Sequence, residues 1–196
     1  MKEFQTVAST ILFTLFVSVS HAQTGFFDNL SESAISLTKQ KVTYDPKYYT
    51  INYPDGDVPS DRGVCTDVVI RAYRKLGLDL QKEVHEDMKS NFSVYPKNWG
   101  LKTTDKNIDH RRVPNLMKFF ERQNATLSIT DKPGDYRPGD VVCWNLGGAI
   151  THIGIVVDKK SNDGKRNLIV HNIGGGQVLA DCLFEYKIIG HYRYSM

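Results

Sequence analysis

Three side chains in this sequence are of the types from which a nucleophilic site is built: the thiol of Cys65 and the imidazoles of His152 and His171. Cys65 lies in the run Asp61-Arg62-Gly63-Val64-Cys65-Thr66-Asp67-Val68-Val69, which reads as the first turn of a helix. Unpaired N–H groups and the positive end of the helix dipole favour thiolate there, and can bring a cysteine pKa from about 8.5 into the range of roughly 3.5 to 7.5. His152 opens a β run and is the candidate base, able to take the thiol proton and return it to a leaving amine. His171, on the next run, would fix the orientation of His152, with Asn172 as a substitute. A free cysteine on an apolar stripe is also a common packing residue, so the helix pattern alone leaves inert burial equally open.

The elements that must position these groups are legible from periodicity. Cys65, Val68, Val69, Ala72, Tyr73 and Leu76 recur at i, i+3, i+4, i+7, i+8 and i+11, with Asp67, Arg71, Arg74 and Lys75 on the other face. Asp61 or Ser60 can cap this helix and Gly77 can stop it. Phe27, Leu30, Ala34 and Leu37 suggest a shorter helix over 26–40, and Leu116, Phe119 and Phe120 one over 113–122, with Pro114 in its first turn. The stretch 78–112 reads as polar and irregular. From Arg137-Pro138-Gly139-Asp140 onward β runs follow at 141–144, 152–157, 168–171 and 187–194, with Asn162-Asp163-Gly164 as a hairpin turn between the second and third. Helices first and an antiparallel sheet after them predict an α+β domain with the sheet packed on the early helices.

Composition narrows the classes. Lys and Arg number 25 against 22 Asp and Glu, a net charge of +3 spread along the chain, which gives no footprint for nucleic acid. Residues 1–22 read as a cleaved secretory signal peptide: Met1-Lys2, an apolar stretch over 7–19, and the small residues Ser20 and Ala22 before the cut. That stretch is short for a bilayer span of about 20 residues, so a retained anchor is the weaker alternative. The expectation is a periplasmic or extracellular protein, not membrane-embedded after cleavage, with 23–196 as one domain and a monomer as the simplest state. Its three cysteines are an odd number in an exported chain, so at least one is unpaired; Cys143 and Cys182 could bridge or could each stay free.

No metal or cofactor is called for. Asp55-Gly56-Asp57 lacks the Glu of a calcium loop, His85-Glu86 lacks the second His of a zinc helix, and Gly174-Gly175-Gly176 has no following Lys-Ser/Thr. Arg111 and Arg112 could grip carboxylates bidentately or form an ion-paired loop. Tyr44, Tyr48, Tyr49, Tyr53, Tyr95 and Trp99 could stack on sugars or anchor loops.

Taken in order, Val64-Cys65-Thr66-Asp67, Arg137-Pro138-Gly139-Asp140-Val141-Val142, His152-Ile153-Gly154-Ile155-Val156-Val157 and Ile169-Val170-His171-Asn172 resemble the NlpC-type papain-like cysteine peptidases of bacterial cell walls. The wording of Asp57-Val58-Pro59, Asp61 to Asp67, His85-Glu86-Asp87-Met88 and Asn107-Ile108-Asp109-His110-Arg111-Arg112 resembles a branch of them, the domain-of-unknown-function family 1287, over nearly the whole mature chain. The resemblance implies a papain-like fold and a secreted cysteine amidase or endopeptidase acting on peptidoglycan or its peptides through a thioester. Cys65, His152 and His171 would be its catalytic residues, with Tyr53 helping to hold the oxyanion; beside the resemblance, Asp67, Arg111, Arg112 and Asn172 are the further candidates for contacting substrate. The chain departs from the usual Asp-Cys-Ser-Gly around the nucleophile and has a longer Cys-to-His separation. Two alternatives stay open: a non-catalytic cell-envelope binding module on the same fold, and a Cys-His acyltransferase.

Overall fold

The computed structural model describes residues 25–195 and is α+β. The expected signal peptide lies outside the described residues. A first helix, α1, spans 25–37; it is followed by the short strands β1 (Thr43–Tyr44) and β2 (Arg62–Gly63), then α2 (Cys65–Arg74), α3 (Leu80–Ser90) and α4 (Val113–Arg122). The second half supplies β3 (Val141–Gly147), β4 (Ile150–Lys160), β5 (Asn167–His171), β6 (Val178–Ala180) and β7 (Lys187–Tyr192). These last five form one antiparallel sheet in the order β6-β5-β4-β3-β7, while β1 and β2 pair in parallel beside it. Among the described residues no helix is long and apolar enough to cross a membrane.

α4 begins and ends where its pattern predicts, with Pro114 in the first turn. The cap of α2 differs from expectation. Val64 holds the N-cap position, and Asp67 reaches back so that its Oδ2 accepts the Val64 N–H at 2.7 Å. The irregular reading of 78–112 is corrected by α3: Asp79 caps it by accepting the Gln81 N–H at 3.2 Å, and Leu80, Val84 and Met88 are buried at i, i+4 and i+8. That signal was present but diluted by Gln81, Lys82, Glu83, His85, Glu86 and Asp87 on the other face.

The sheet separates two cores, and strand alternation decides which side chain joins which. On one face Val141, Cys143, Ile153, Ile155, Val157 and Val170 pack against Leu30, Val68, Val69, Ala72, Leu116 and Phe120 of the helices. On the other, Val142, Trp144, Val156 and Ile169 pack against Tyr136, Cys182 and Leu183, which come from connecting segments. The Pro-Gly-Asp turn is pinned to both ends of the fold. Gly139 has φ +85° and a Cβ there would meet the Phe27 carbonyl at 2.6 Å, so α1 can lie against it only because the residue is glycine. Asp140, fully buried, accepts from the Arg137 N–H at 2.8 Å and from Arg193, and lies 2.9 Å from His191 Nε2, tying the turn to β7 and its continuation.

Candidate functional site

Cys65 is the first residue of α2, where its sequence position placed it, and it lines a pocket of about 380 Å³ with Tyr44, Trp99, Arg111, Arg112 and Thr151. The backbone amides of Ile153, Thr66 and Cys65 itself lower its pKa, as a helix N-terminus should. Burial outweighs them and pushes the thiol up to about 12, with Asp67 adding to the rise. The residue is 7% exposed, so the thiol closes the floor of the pocket and is protonated at neutral pH.

The expected partner does not reach it. Cys65 packs with Ile153, Ile155 and Val157 on the helix side of β4, whereas His152 alternates to the opposite face, where its ring lies 5.8 Å from that of Trp144. Gly154, two residues on, confirms the parity: a Cβ there would meet Ile169 Cγ2 at 2.7 Å and His171 Cβ at 3.1 Å, both belonging to the far side. The Cys65–His152 couple anticipated from motif order is therefore not assembled, because on a strand one residue decides the face. Thr151 takes the place beside the thiol that His152 was expected to hold.

The two histidines do meet each other. His152 Nε2 and His171 Nδ1 are 2.8 Å apart, and His171 Nε2 is 3.8 Å from the sulfur of Cys182. Burial, with His171 as a second cause, pulls His152 down to about 3, and burial also lowers His171. His110 is likewise neutral inside, its pKa drawn to about 3 by burial and by Arg111. Both His152 and His110 are neutral when folded and charged when unfolded below 6.5. They contribute stability that is complete above pH 6.5 and is lost as pH falls towards 3, by about 1.4 kcal/mol per pH unit for each. Urea midpoints at pH 7, 6, 5 and 4 should fall accordingly, and His152→Gln should flatten the slope.

The remaining expected site residues divide. Asp67 and Arg111 form a buried bidentate pair, Nε to Oδ1 at 2.9 Å and Nη2 to Oδ2 at 3.1 Å, and Arg111 also donates to the carbonyls of Lys47 and Asp45. Their polar groups are thus spent on holding the 109–111 turn and the β1 loop to the start of α2, with Thr66 donating to the Arg111 carbonyl at 3.3 Å. Asn172 lies beside the Cys65 helix and donates to the Gly63 carbonyl at 3.1 Å, fixing the approach to α2. Tyr53 is elsewhere, its hydroxyl 3.3 Å from Glu86 and its ring against His85. The tyrosine at the thiol is Tyr44, held by the pairing of Tyr44 with Gly63 and with its pKa raised by burial and by Cys65. Only the β1–β2 pairing reveals this, and two-residue strands leave no periodicity to read.

Arg112 differs from Arg111. It is half-buried, its guanidinium carbon lies 4.3 Å from the Trp99 ring centroid, and among the described residues its buried Nη1 has no hydrogen-bond partner, as is also true of Arg71 Nη1 and Arg74 Nε away from the pocket. All three cysteines are free, and Cys143 and Cys182 face opposite sides of the sheet, which rules out the bridge between them. Among the described residues no group of three or more His, Cys, Asp or Glu side chains is arranged to hold a metal ion.

A family model described as a domain of unknown function, DUF1287, matches residues 31–194, from α1 to the strand continuation beyond β7. The chain belongs to the DUF1287 family. It is also 53% identical over 151 residues to the "Uncharacterized protein YijF" of Escherichia coli (strain K12), an alignment covering 77% of this chain and 73% of that protein. In this DUF1287 domain, the features around the pocket (the Asp67–Arg111 pair, the Tyr44 strand, the Asn172 tether and Arg112) all fall within the matched span.

Proposed function

We propose that the Cys65 pocket receives a peptide bearing a free carboxylate, with the stem peptides of peptidoglycan as the substrate class, and that in this arrangement it serves as a cell-envelope binding site. The observation that carries the reading is Arg112. A buried guanidinium nitrogen without a partner is costly to maintain, and a bidentate carboxylate is the group that would satisfy it. Trp99 backs the guanidinium, and Tyr44 provides an aromatic wall for a peptide's flank. Export through a signal peptide would bring the domain to its ligand. The test is calorimetric titration with soluble stem-peptide fragments, free and C-terminally amidated. Arg112→Ala should weaken binding of the free acid about 10- to 100-fold, the worth of a charge-assisted pair, and amidation should do the same to the wild type. Equal binding of acid and amide would overturn the reading.

A secreted cysteine hydrolase of papain-like, NlpC-type fold is the second reading, favoured by the position of Cys65 at the start of α2, where backbone amides lower the thiol pKa against burial. The free N–H groups of the helix start would be the donors for the oxyanion on a carbonyl attacked by the sulfur. The reading requires a base on the helix side of β4, so His152 would have to turn over at the start of that strand. Release of a new amine from the same fragments, lost in Cys65→Ser while binding persists, would establish it over simple binding. Transfer of the acyl group to an added amine would mark an acyltransferase instead.

A further inference from the structure

The imidazole pair expected to serve Cys65 lies instead against another thiol. We propose that Cys182, His171 and His152 form a separate nucleophilic site on the far face of the sheet, with Cys182 as the acyl-accepting thiol, His171 as its base and His152 as the residue that orients His171. The proposal is independent of the Cys65 pocket, since the two cysteines are separated by the thickness of the sheet.

The geometry has the three-part order that an activated thiol needs. β6 pairs Val178 with His171 and Ala180 with Ile169, running away from His171 along β5. The chain then lies over the sheet face, where the Leu183 carbonyl accepts from Trp144 Nε1 at 2.9 Å and the Cys182 sulfur is 3.8 Å from His171 Nε2. His171 Nδ1 is 2.8 Å from His152 Nε2, so one proton lies between the two rings. When that proton is on His171, its Nε2 carries the lone pair and faces the thiol. Trp144, tilted against His152 at 5.8 Å, walls the outer ring. Burial pushes the Cys182 thiol up to about 12, with Glu185 and Asp181 adding to the rise, so it is protonated at rest as Cys65 is. What Cys65 lacks is an imidazole in contact to take the proton, and Glu185 also favours the His171 imidazolium that the transfer creates.

Access and substrate class follow from the surroundings. Cys182 is 6% exposed, whereas Cys143 within the sheet is sealed at 0%. Two exposed apolar side chains stand two residues from the imidazoles in sequence, Ile150 before His152 and Ile173 after His171, while the Phe184 ring packs on Tyr136 at 5.6 Å. A short apolar acyl ester or thioester is the substrate class that matches Ile150 and Ile173 beside the two imidazoles. In the acylation step the Cys182 proton passes to His171 Nε2 as the sulfur bonds to the carbonyl carbon. The bond from that carbon to the leaving alkoxide or thiolate breaks, and the leaving group takes the proton from His171. Water then hydrolyses the thioester to the acid and restores the thiol.

The test uses the exported chain carrying Cys65→Ser, so that no acylation at Cys65 contributes, with p-nitrophenyl butyrate as the probe and peptide mass mapping as the readout. A butyryl group should appear on Cys182 at pH 7.5, and its rate should level off once the imidazole is neutral. His171→Gln should slow it at least tenfold, within the range of general-base assistance, and leave a rate that climbs with hydroxide across pH 7 to 10. His152→Gln should give a smaller loss, and circular dichroism would confirm that each variant is folded. An unmodified Cys182 in the folded protein, or a rate and pH profile indifferent to His171, would overturn the proposal.

Discussion

Asp67→Ala should cost about 3 to 5 kcal/mol and leave the protein largely unfolded near physiological temperature, because it strands the Arg111 guanidinium in the interior. Both partners are almost wholly buried, the side chains of Arg111 and Asp67 being 2% and 3% exposed, so water cannot replace what is lost. The same carboxylate caps α2 through the Val64 N–H, a further contribution of about 1 kcal/mol. Asp67→Asn keeps an acceptor for Val64 and removes only the charge, so its loss should be smaller. Arg111→Ala should be comparably severe, since it leaves the carboxylate behind. Because both changes remove one interaction, the double variant should fall well short of their sum. Chemical denaturation of the four proteins measures this; additive losses would show that Asp67 and Arg111 stabilise the fold separately.

Cys65 in the folded protein should react with iodoacetamide about a thousand times more slowly than a free cysteine at pH 7.5, and His152→Ala should leave that rate unchanged. The first expectation follows from a pKa raised from 9.0 to about 12, which cuts the thiolate fraction by three powers of ten. The second follows from the parity of β4, which directs the imidazole away. Labelling across pH 6 to 10, with the site mapped by mass, decides both. A thiolate titrating well below pH 8 and lost in His152→Ala would mean that the imidazole does reach the thiol. It would move the hydrolase reading ahead of the binding one.

The sequence determined by itself what depends on neighbours along the chain. Apolar spacing at 3.6 residues located α2 and α4, β-rich runs bounded by Pro-Gly-Asp and Asn-Asp-Gly located β3, β4 and β5, and their order made the domain α+β. The side-by-side placement of His152 and His171 was legible too, because a hairpin through Gly164 leaves adjacent strands little choice. Only the tertiary structure decided which sheet face α2 covers. His152 and Ile153 are neighbours in sequence, and the choice between them rests on packing the odd-numbered set, Ile153, Ile155 and Val157, against helices far away in the chain. Arg111 and Arg112 make the same point: adjacent and identical in type, one is neutralised by Asp67 across 44 positions and the other lines the pocket with a buried nitrogen that has no partner among the described residues. Local pattern fixes an element's type; burial, partner and face are set by contacts between segments that the pattern does not relate.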